Sequence, residues 1–282
     1  MTAKPKAIVL QAAGSNRDLE GAQALELAGA ESEIVPLAEL RAGRKALANY
    51  QIMLVPGGFS YADALGAGKL LALDLDTDLA AQLRAFVASG KPMIGICNGF
   101  QALVKAGLFE KKAEAGGWRL EKISPGTGGN IPASSFQPLT STLTFNQAGH
   151  FECRWVTLAP RSRNCVWTRG LSEPLYCPVA HGEGNFTASG PAALAALAAN
   201  DQIALVYVLS DGAPARGAYP DNPNGSAADI AGISNPAGNV LGLMPHPENH
   251  LYPYQHPRWS RGERGGLGLK LFEQGVRYAA QL

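Results

Sequence analysis

The chain has 282 residues, 46% of them hydrophobic and 17% charged, with a formal net charge of +1. That length supplies a substantial core for one large α/β domain or two small ones, and a near-neutral balance without a basic run leaves no electrostatic footprint for nucleic acid. No apolar run reaches the roughly 20 residues that span a bilayer, and the opening MTAKPKAIVLQ passes straight into a short strand without a secretory pattern, so a cytoplasmic protein is expected.

In chain order, residues 7–10 form a short apolar strand, a turn follows at Gly14-Ser15-Asn16, and residues 20–30 read as a helix with Leu25 and Ala28 inward and Gly29 as its stop. Residues 33–35 are a second strand and 41–48 a short helix, and Ile52–Val55 is a third strand leading into Pro56-Gly57-Gly58-Phe59-Ser60. Helical spacing returns at 65–73 and 76–89, where Leu79, Leu83, Phe86 and Val87 make one stripe that Gly90 and Pro92 end. Gly66-x-Gly68 lacks the preceding strand and third glycine of a phosphate loop, and reads as packing or a turn. Strands alternating with helices predict an α/β fold with a doubly wound, mostly parallel sheet of flavodoxin type. Ligands collect at the carboxyl ends of such strands, the edge that carries the Gly57-Gly58 loop and Cys97.

Beyond residue 107 the texture changes. Residues 110–130 mix charges and glycines, 124–138 read as a long surface excursion, and β-rich segments follow at 139–145, 151–158, 166–168 and 175–179. Residues 190–199 are a helix opened by Pro191 and filled with alanine, 203–209 are a buried strand, and Ile230–Ser234 and Val240–Leu243 form a hairpin through Asn235-Pro236-Ala237-Gly238. Residues 250–266 are aromatic, basic and glycine-rich, and 267–282 close the chain as an amphipathic helix. The whole, 1–282, reads as a single domain with a β-rich insertion at about 111–146 and a C-terminal extension at about 249–282.

Two short runs carry the chemistry. In KPMIGICNGFQALVKAG, residues 91–107, an apolar run meets Cys97 between Gly95 and Gly99 and is followed by two helical turns. This is the strand, sharp turn and helix of a nucleophile elbow, Gly-x-Cys-x-Gly. The glycines let the residues on either side of the turn approach each other, and the helix N-terminus favours a thiolate. The alternative is a buried core cysteine. In Pro245-His246-Pro247-Glu248, Pro247 pushes His246 out of the α region into an extended conformation. There residues i and i+2 face one way, so Glu248 lies beside the imidazole and can orient it. A histidine between prolines is, by itself, as readily structural. Taken with Cys97 at another strand end, the three groups form a set for nucleophilic catalysis.

The four cysteines, Cys97, Cys153, Cys165 and Cys177, contain no Cys-x-x-Cys and fit free thiols in a reducing compartment. His150-x-x-Cys153 and Cys177-x-x-x-His181 imitate zinc-ligand spacings, but a strand over 151–156 turns His150 and Cys153 to opposite faces, so no metal site is expected. Gly57 and Gly58 alone are a plain turn. Trp155, Tyr207 and Trp259 read as core or interface packing.

These runs, with Gly14-Ser-Asn-Arg-Asp18, Pro56-Gly-Gly-Phe-Ser-Tyr61, Phe151-Glu-Cys-Arg-Trp155, His181-Gly-Glu-Gly184 and Asn222-Pro-Asn-Gly-Ser226, resemble the class I, triad-type glutamine amidotransferases. Within that class the resemblance is to the glutaminase components of phosphoribosylformylglycinamidine synthases. Two departures stand out. The family commonly continues Phe-Ser-Tyr with Gly-Asp-Tyr-Leu-Arg, where this chain has Ala62-Asp-Ala-Leu-Gly66. The chain is also longer than compact free-standing subunits and is similar in length to the glutaminase end of fused synthases.

The resemblance implies glutamine as substrate, Cys97 as nucleophile, His246 as base and Glu248 as its orienter. It implies oxyanion donors at the N–H groups of Gly58 and Asn98, and glutamine binding by Gln101 and the loop of His181 and Gly182. For Gln101 the residue pattern alone equally allows a solvated helix position. The implied partner is a synthetase subunit, with or without a small bridging subunit. That partner would use ATP and magnesium; no cofactor is expected in this chain, which has no Walker loop. The alternatives are the glutaminase of a different amidotransferase and a Cys-His-Glu hydrolase of the same superfamily.

Overall fold

The computed structural model describes residues 3–110 and 140–282. The surface excursion expected at 124–138, and most of the insertion at 111–146, lie outside the described residues.

The first half is built from βα units. β1 (Lys6–Gln11), α1 (Asp18–Leu27), β2 (Glu31–Pro36), α2 (Leu37–Arg41) and β3 (Ile52–Val55) come first, then α3 (Lys69–Asp76), α4 (Ala80–Ala88), β4 (Met93–Ile96) and α5 (Asn98–Lys105). The second half holds β5 (Ser141–Thr144), β6 (Glu152–Pro160), β7 (Leu175–His181), β8 (Asn185–Ala188), α6 (Pro191–Ala199), β9 (Ile203–Val208), β10 (Ile230–Ser234), β11 (Val240–Leu243) and α7 (Leu269–Ala279).

Among the described residues nine strands form one sheet in the order β2-β1-β3-β4-β11-β10-β9-β6-β7. The pairings from β2 to β11 are parallel, and those from β11 to β7 are antiparallel. β3, β4 and β11 are buried at every residue. Covered on both faces, they read as unbroken apolar runs rather than alternating ones. α1 packs with α7 and α7 with β3, while α3 packs with α5, and α5 with β4 and β11. Residues 249–282 therefore carry part of the core, through Leu271, Phe272 and Val276 of α7. β5 and β8 pair as a separate antiparallel ribbon. No helix among the described residues is long and apolar enough to cross a membrane.

Several elements differ from the sequence expectation. The helix expected at 41–48 forms earlier, as α2, because Leu37 and Leu40 supply its inner face and Gly43 takes a left-handed φ of 69°. The helix expected at 65–73 starts only at Lys69, after Leu65, Gly66 and Gly68 at φ 66°, 116° and 68°. Residues 166–168 form a turn, not a strand: the N–H groups of Thr168 and Arg169 donate to the Cys165 carbonyl at 3.1 and 2.9 Å. Its apolar residues are apolar because the turn drives Trp167 into the core beneath Gly275, where a Cβ would stand 2.2 Å from the indole ring. β8 went unpredicted because only Phe186 of its four residues is buried and its partner lies far away in the chain.

Candidate active site

Cys97 sits between β4 and α5 with φ 50° and ψ −107°, a conformation that costs an L-residue energy and must be held in place. It is held from both sides: its N–H donates to the Leu243 carbonyl at 2.8 Å, and its carbonyl accepts from Gln101 N–H at 3.0 Å. The close approach expected of Gly95 and Gly99 is present, since a Cβ on Gly95 would stand 3.0 Å from the Gly99 carbonyl carbon. The tighter constraint comes from β3: a Cβ on Gly99 would meet the Val55 carbonyl oxygen at 2.0 Å.

His246 follows β11 with φ −107° and ψ 79°, outside the α region as Pro247 requires. The extended backbone expected to reach Glu248 is absent, however. Residues Pro247–Asn249 form a 3-10 turn, in which Asn249 N–H donates to the His246 carbonyl at 3.1 Å. Proline suits the first position of such a turn, having no N–H to leave unpaired. The turn still brings the carboxylate to the ring, with His246 Nδ1 and Glu248 Oε1 2.6 Å apart. A carboxylate accepts, so Nδ1 donates a proton to it and Nε2 is the ring nitrogen on the Cys97 side.

Gly57 lies where His246 and Cys97 meet: a Cβ there would lie 2.8 Å from His246 Cε1 and 3.4 Å from Cys97 Cβ. Burial by itself pushes the imidazole pKa down, but the adjacent Glu248 carboxylate and Cys97 outweigh it and raise the ring to about 10. Cys97, His246 and Glu248 are 6%, 3% and 1% exposed. Neither His246 Nε2 nor Glu248 Oε2 makes a well-formed hydrogen bond among the described residues.

The two flanking loops are joined through α5. Gly58, at φ 127°, pairs with Ser15, and Phe59 N–H donates to the Gly14 carbonyl at 3.1 Å. Asn98 Oδ1 accepts from Ser60 N–H at 3.1 Å and from Ser60 Oγ at 2.5 Å. Its Nδ2 donates to Asp63 Oδ1 at 2.7 Å and Gln101 Oε1 at 3.2 Å. Gln101 Nε2 in turn donates to the Glu183 carbonyl at 2.7 Å, so this side chain is buried between the elbow and the second loop rather than solvated.

In that second loop His181 is buried with Nδ1 3.1 Å from Asn146 Oδ1. Asn146 Nδ2 donates to the carbonyls of His150 and His181 at 2.9 and 2.7 Å, which turns its oxygen to the ring and makes Nδ1 the donor. His181 Nε2 is thus a buried lone pair without a partner among the described residues. Burial, and next the nearby His246, lower the His181 pKa to about 4, so the ring is neutral. The Gly182 carbonyl accepts from Asn146 N–H at 2.9 Å.

The sequence-predicted residues Cys97, His246, Glu248, Gly58, Asn98, Gln101, His181 and Gly182 are thus brought to one edge of the sheet. Sequence reasoning missed Asn146, Ser60, Asp63 and the backbone of β7. Ser60 belongs to the Pro56–Tyr61 run, but nothing local to Asn146 announces a histidine 35 residues away. Of the zinc look-alike spacings, Cys153 is exposed, Cys177 is buried, and His150 Nε2 pairs with Glu152 at 2.8 Å. Tyr207 is fully buried and its hydroxyl accepts from Asn224 Nδ2 at 3.1 Å, while Trp155 packs against Tyr176 and His250.

A family model described as a CobB/CobQ-like glutamine amidotransferase domain matches residues 4–279. The phosphoribosylformylglycinamidine synthase subunit PurQ of Treponema denticola is 49% identical over 278 residues, covering 98% of this chain and 99% of the relative. The PurQ subunit of Dehalococcoides mccartyi is 41% identical over 282 residues, covering 99% of each. Separate subunits therefore also have this length, which the sequence alone had likened to the end of fused synthases. Among solved structures, a chain of the PurLQS structure from Thermotoga maritima superposes with a TM-score of 0.70 at 28% identity, over 98% of this chain and 99% of that one. The chain belongs to the CobB/CobQ-like glutamine amidotransferase family, in its PurQ branch.

Proposed function

We propose that this chain is the glutaminase component of a phosphoribosylformylglycinamidine synthase, hydrolysing glutamine to glutamate and ammonia. The observation that carries the chemistry is the strained Cys97 elbow beside an imidazole whose Nδ1 is bound to Glu248 at 2.6 Å. With His246 raised to about 10, the proton shared by Cys97 and His246 rests on Nε2, and the Cys97 sulfur attacks the side-chain amide carbon of glutamine. The amide oxygen becomes an oxyanion, held by the N–H groups of Gly58 and Asn98, donors worth about 3 kcal/mol each. His246 passes the proton to the leaving nitrogen, ammonia departs, and a γ-glutamyl thioester remains. The neutral ring then activates a water that hydrolyses the thioester to glutamate. Gln101 and the loop of His181 and Gly182 hold the amino-acid end of the substrate.

The ammonia passes to a synthetase partner that uses ATP and magnesium. The PurQ relatives and the PurLQS assembly of Thermotoga maritima support a synthetase subunit together with a small bridging subunit. The near-complete burial of Cys97 supports a glutaminase that is slow alone and faster once the partner docks.

The test measures glutamate release from glutamine by the full chain, alone and with the synthetase, ATP and formylglycinamide ribonucleotide. A diazo-ketone analogue of glutamine is expected to label Cys97 and stop both reactions. Undiminished activity in Cys97→Ala, or turnover of ester or peptide substrates but not glutamine, would overturn the reading.

A further inference from the structure

We propose that the Asn98 side chain, acting with Ser60 and Asp63, is a positioning clamp that holds the Gly58 loop in register with Cys97 and so sets one of the two oxyanion donors. The inference rests on the glutaminase reading above and adds positioning residues to it.

Three successive non-glycine residues, Tyr61, Ala62 and Asp63, have φ of 55°, 55° and 51°, and Leu65 follows at 66°. L-residues ordinarily enter the left-handed region singly, because Cβ crowds the next carbonyl. A run of this kind persists only where its surroundings over-determine it. The surroundings here are specific. Tyr61 N–H donates to the Ala13 carbonyl at 2.6 Å, and its hydroxyl donates to Asp74 Oδ2 at 2.5 Å. Phe59 N–H is tied to the Gly14 carbonyl, Asp63 Oδ1 also accepts from Gly68 N–H at 3.4 Å, and Ser60 and Asp63 both fasten on Asn98.

Asn98 is the first residue of α5, directly after the nucleophile. Its side chain has two acceptor sites and two donor hydrogens, and all four are used: two by Ser60, one by Asp63, one by Gln101. A buried amide so fully committed has one available orientation, and it transmits the position of the elbow to a loop in which Phe59 and Leu65 are exposed. An oxyanion donor works only when it is in place before charge develops, within hydrogen-bond distance of where the oxygen will stand. Gly58 lies two residues before Ser60, at a φ that leaves it free to turn. The Ser15 bridge and the Phe59–Gly14 bond hold this loop to the segment after β1, and the Ser60–Asn98 bonds hold it to the elbow.

The test uses Ser60→Ala, Ser60→Thr and Asp63→Ala in the full chain, alone and with its synthetase. Three quantities are read: single-turnover thioester formation from glutamine, KM, and alkylation of Cys97 by iodoacetamide, which needs the sulfur but no oxyanion site. Loss of alignment at one donor predicts thioester formation about 10- to 100-fold slower in Ser60→Ala, KM within about threefold, and iodoacetamide reactivity within about twofold. Ser60→Thr keeps the hydroxyl and restores the rate to within about threefold of the parent. Asp63→Ala removes the other anchor, moves the rate in the same direction, and decides the matter should Ser60→Ala fail to fold. Unchanged thioester formation in Ser60→Ala and Asp63→Ala overturns the clamp, as does an equal fall in thioester formation and alkylation, which would mean that the elbow itself had loosened. A parent chain that forms no thioester overturns the glutaminase reading instead.

Discussion

The backbone N–H of His246 donates to the carbonyl of Pro178 at 2.8 Å, joining the end of the central strand β11 to β7, the last strand of the same sheet. The antiparallel half therefore curls back over the carboxyl edge of the parallel half. Cys97 Sγ lies 3.8 Å from the next carbonyl but one on β7, that of Ala180. One strand edge thus touches both His246 and Cys97, and these side chains and Glu248 are closed in where low dielectric strengthens their charges.

Glu248→Gln removes the charge that holds the His246 ring protonated and oriented through Nδ1. Glutamine turnover is expected to fall about 100- to 10,000-fold with KM little changed. Steady-state kinetics check this, and a loss of less than about tenfold would remove Glu248 from the catalytic set.

Ala62→Gly replaces a left-handed alanine, at φ 55° and ψ 28°, by the residue that the resembled family carries there. Release of steric strain, less the extra chain entropy of glycine, is expected to stabilise the fold by about 1 kcal/mol. For a chain of this size that raises Tm by about 2 °C in calorimetry.

His181 makes the fold acid-sensitive in a defined window. Its folded pKa of about 4 lies below the ordinary 6.5, so the unfolded chain binds the extra proton between those values. Its contribution is therefore complete above pH 6.5 and lost as pH falls toward 4, by about 3 kcal/mol in all. His246, shifted up to about 10, contributes stability that is complete below 6.5 and is lost only as pH rises through 10, so it adds no slope in the acid window. Urea unfolding between pH 4 and 7 is expected to show this acid loss in the parent and a flatter profile in His181→Gln.

Gly184→Ala places a Cβ 2.2 Å from Cε1 of His181, a ring tied to Asn146 and unable to step aside. A destabilisation of about 2 kcal/mol or more is expected, with a raised KM for glutamine. Gly182→Ala is the control: its Cβ would meet only Phe151 Cδ2, at 3.8 Å, and stability should change by less than about 0.5 kcal/mol.

Much of this protein follows from rules that act over a few residues. Short apolar runs between turn signals locate β1, β3, β4 and β11, and a cysteine between two glycines ahead of a helical pattern locates the elbow. Pro247 keeps His246 out of the α region whatever surrounds it. The same local rules failed where two of them compete: Pro247 excludes α at His246 but also opens a 3-10 turn, which packs against β7, α1 and α7. They failed at residues 166–168, whose apolar side chains record burial of Trp167 and not strand pairing.

What the tertiary structure decided is everything that joins distant residues. Cys97 and Ala180 are 83 residues apart, Gln101 and Glu183 are 82 apart, and His181 and Asn146 are 35 apart. No local pattern encodes such contacts, because they arise when closure of the sheet removes these groups from water and each buried polar atom must find a partner. The opposite shifts of the two histidines have the same origin. Both rings are buried, which by itself lowers a histidine; at His246 the adjacent carboxylate and Cys97 reverse that, whereas at His181 the nearby His246 adds to it, and only the folded chain brings those neighbours into place.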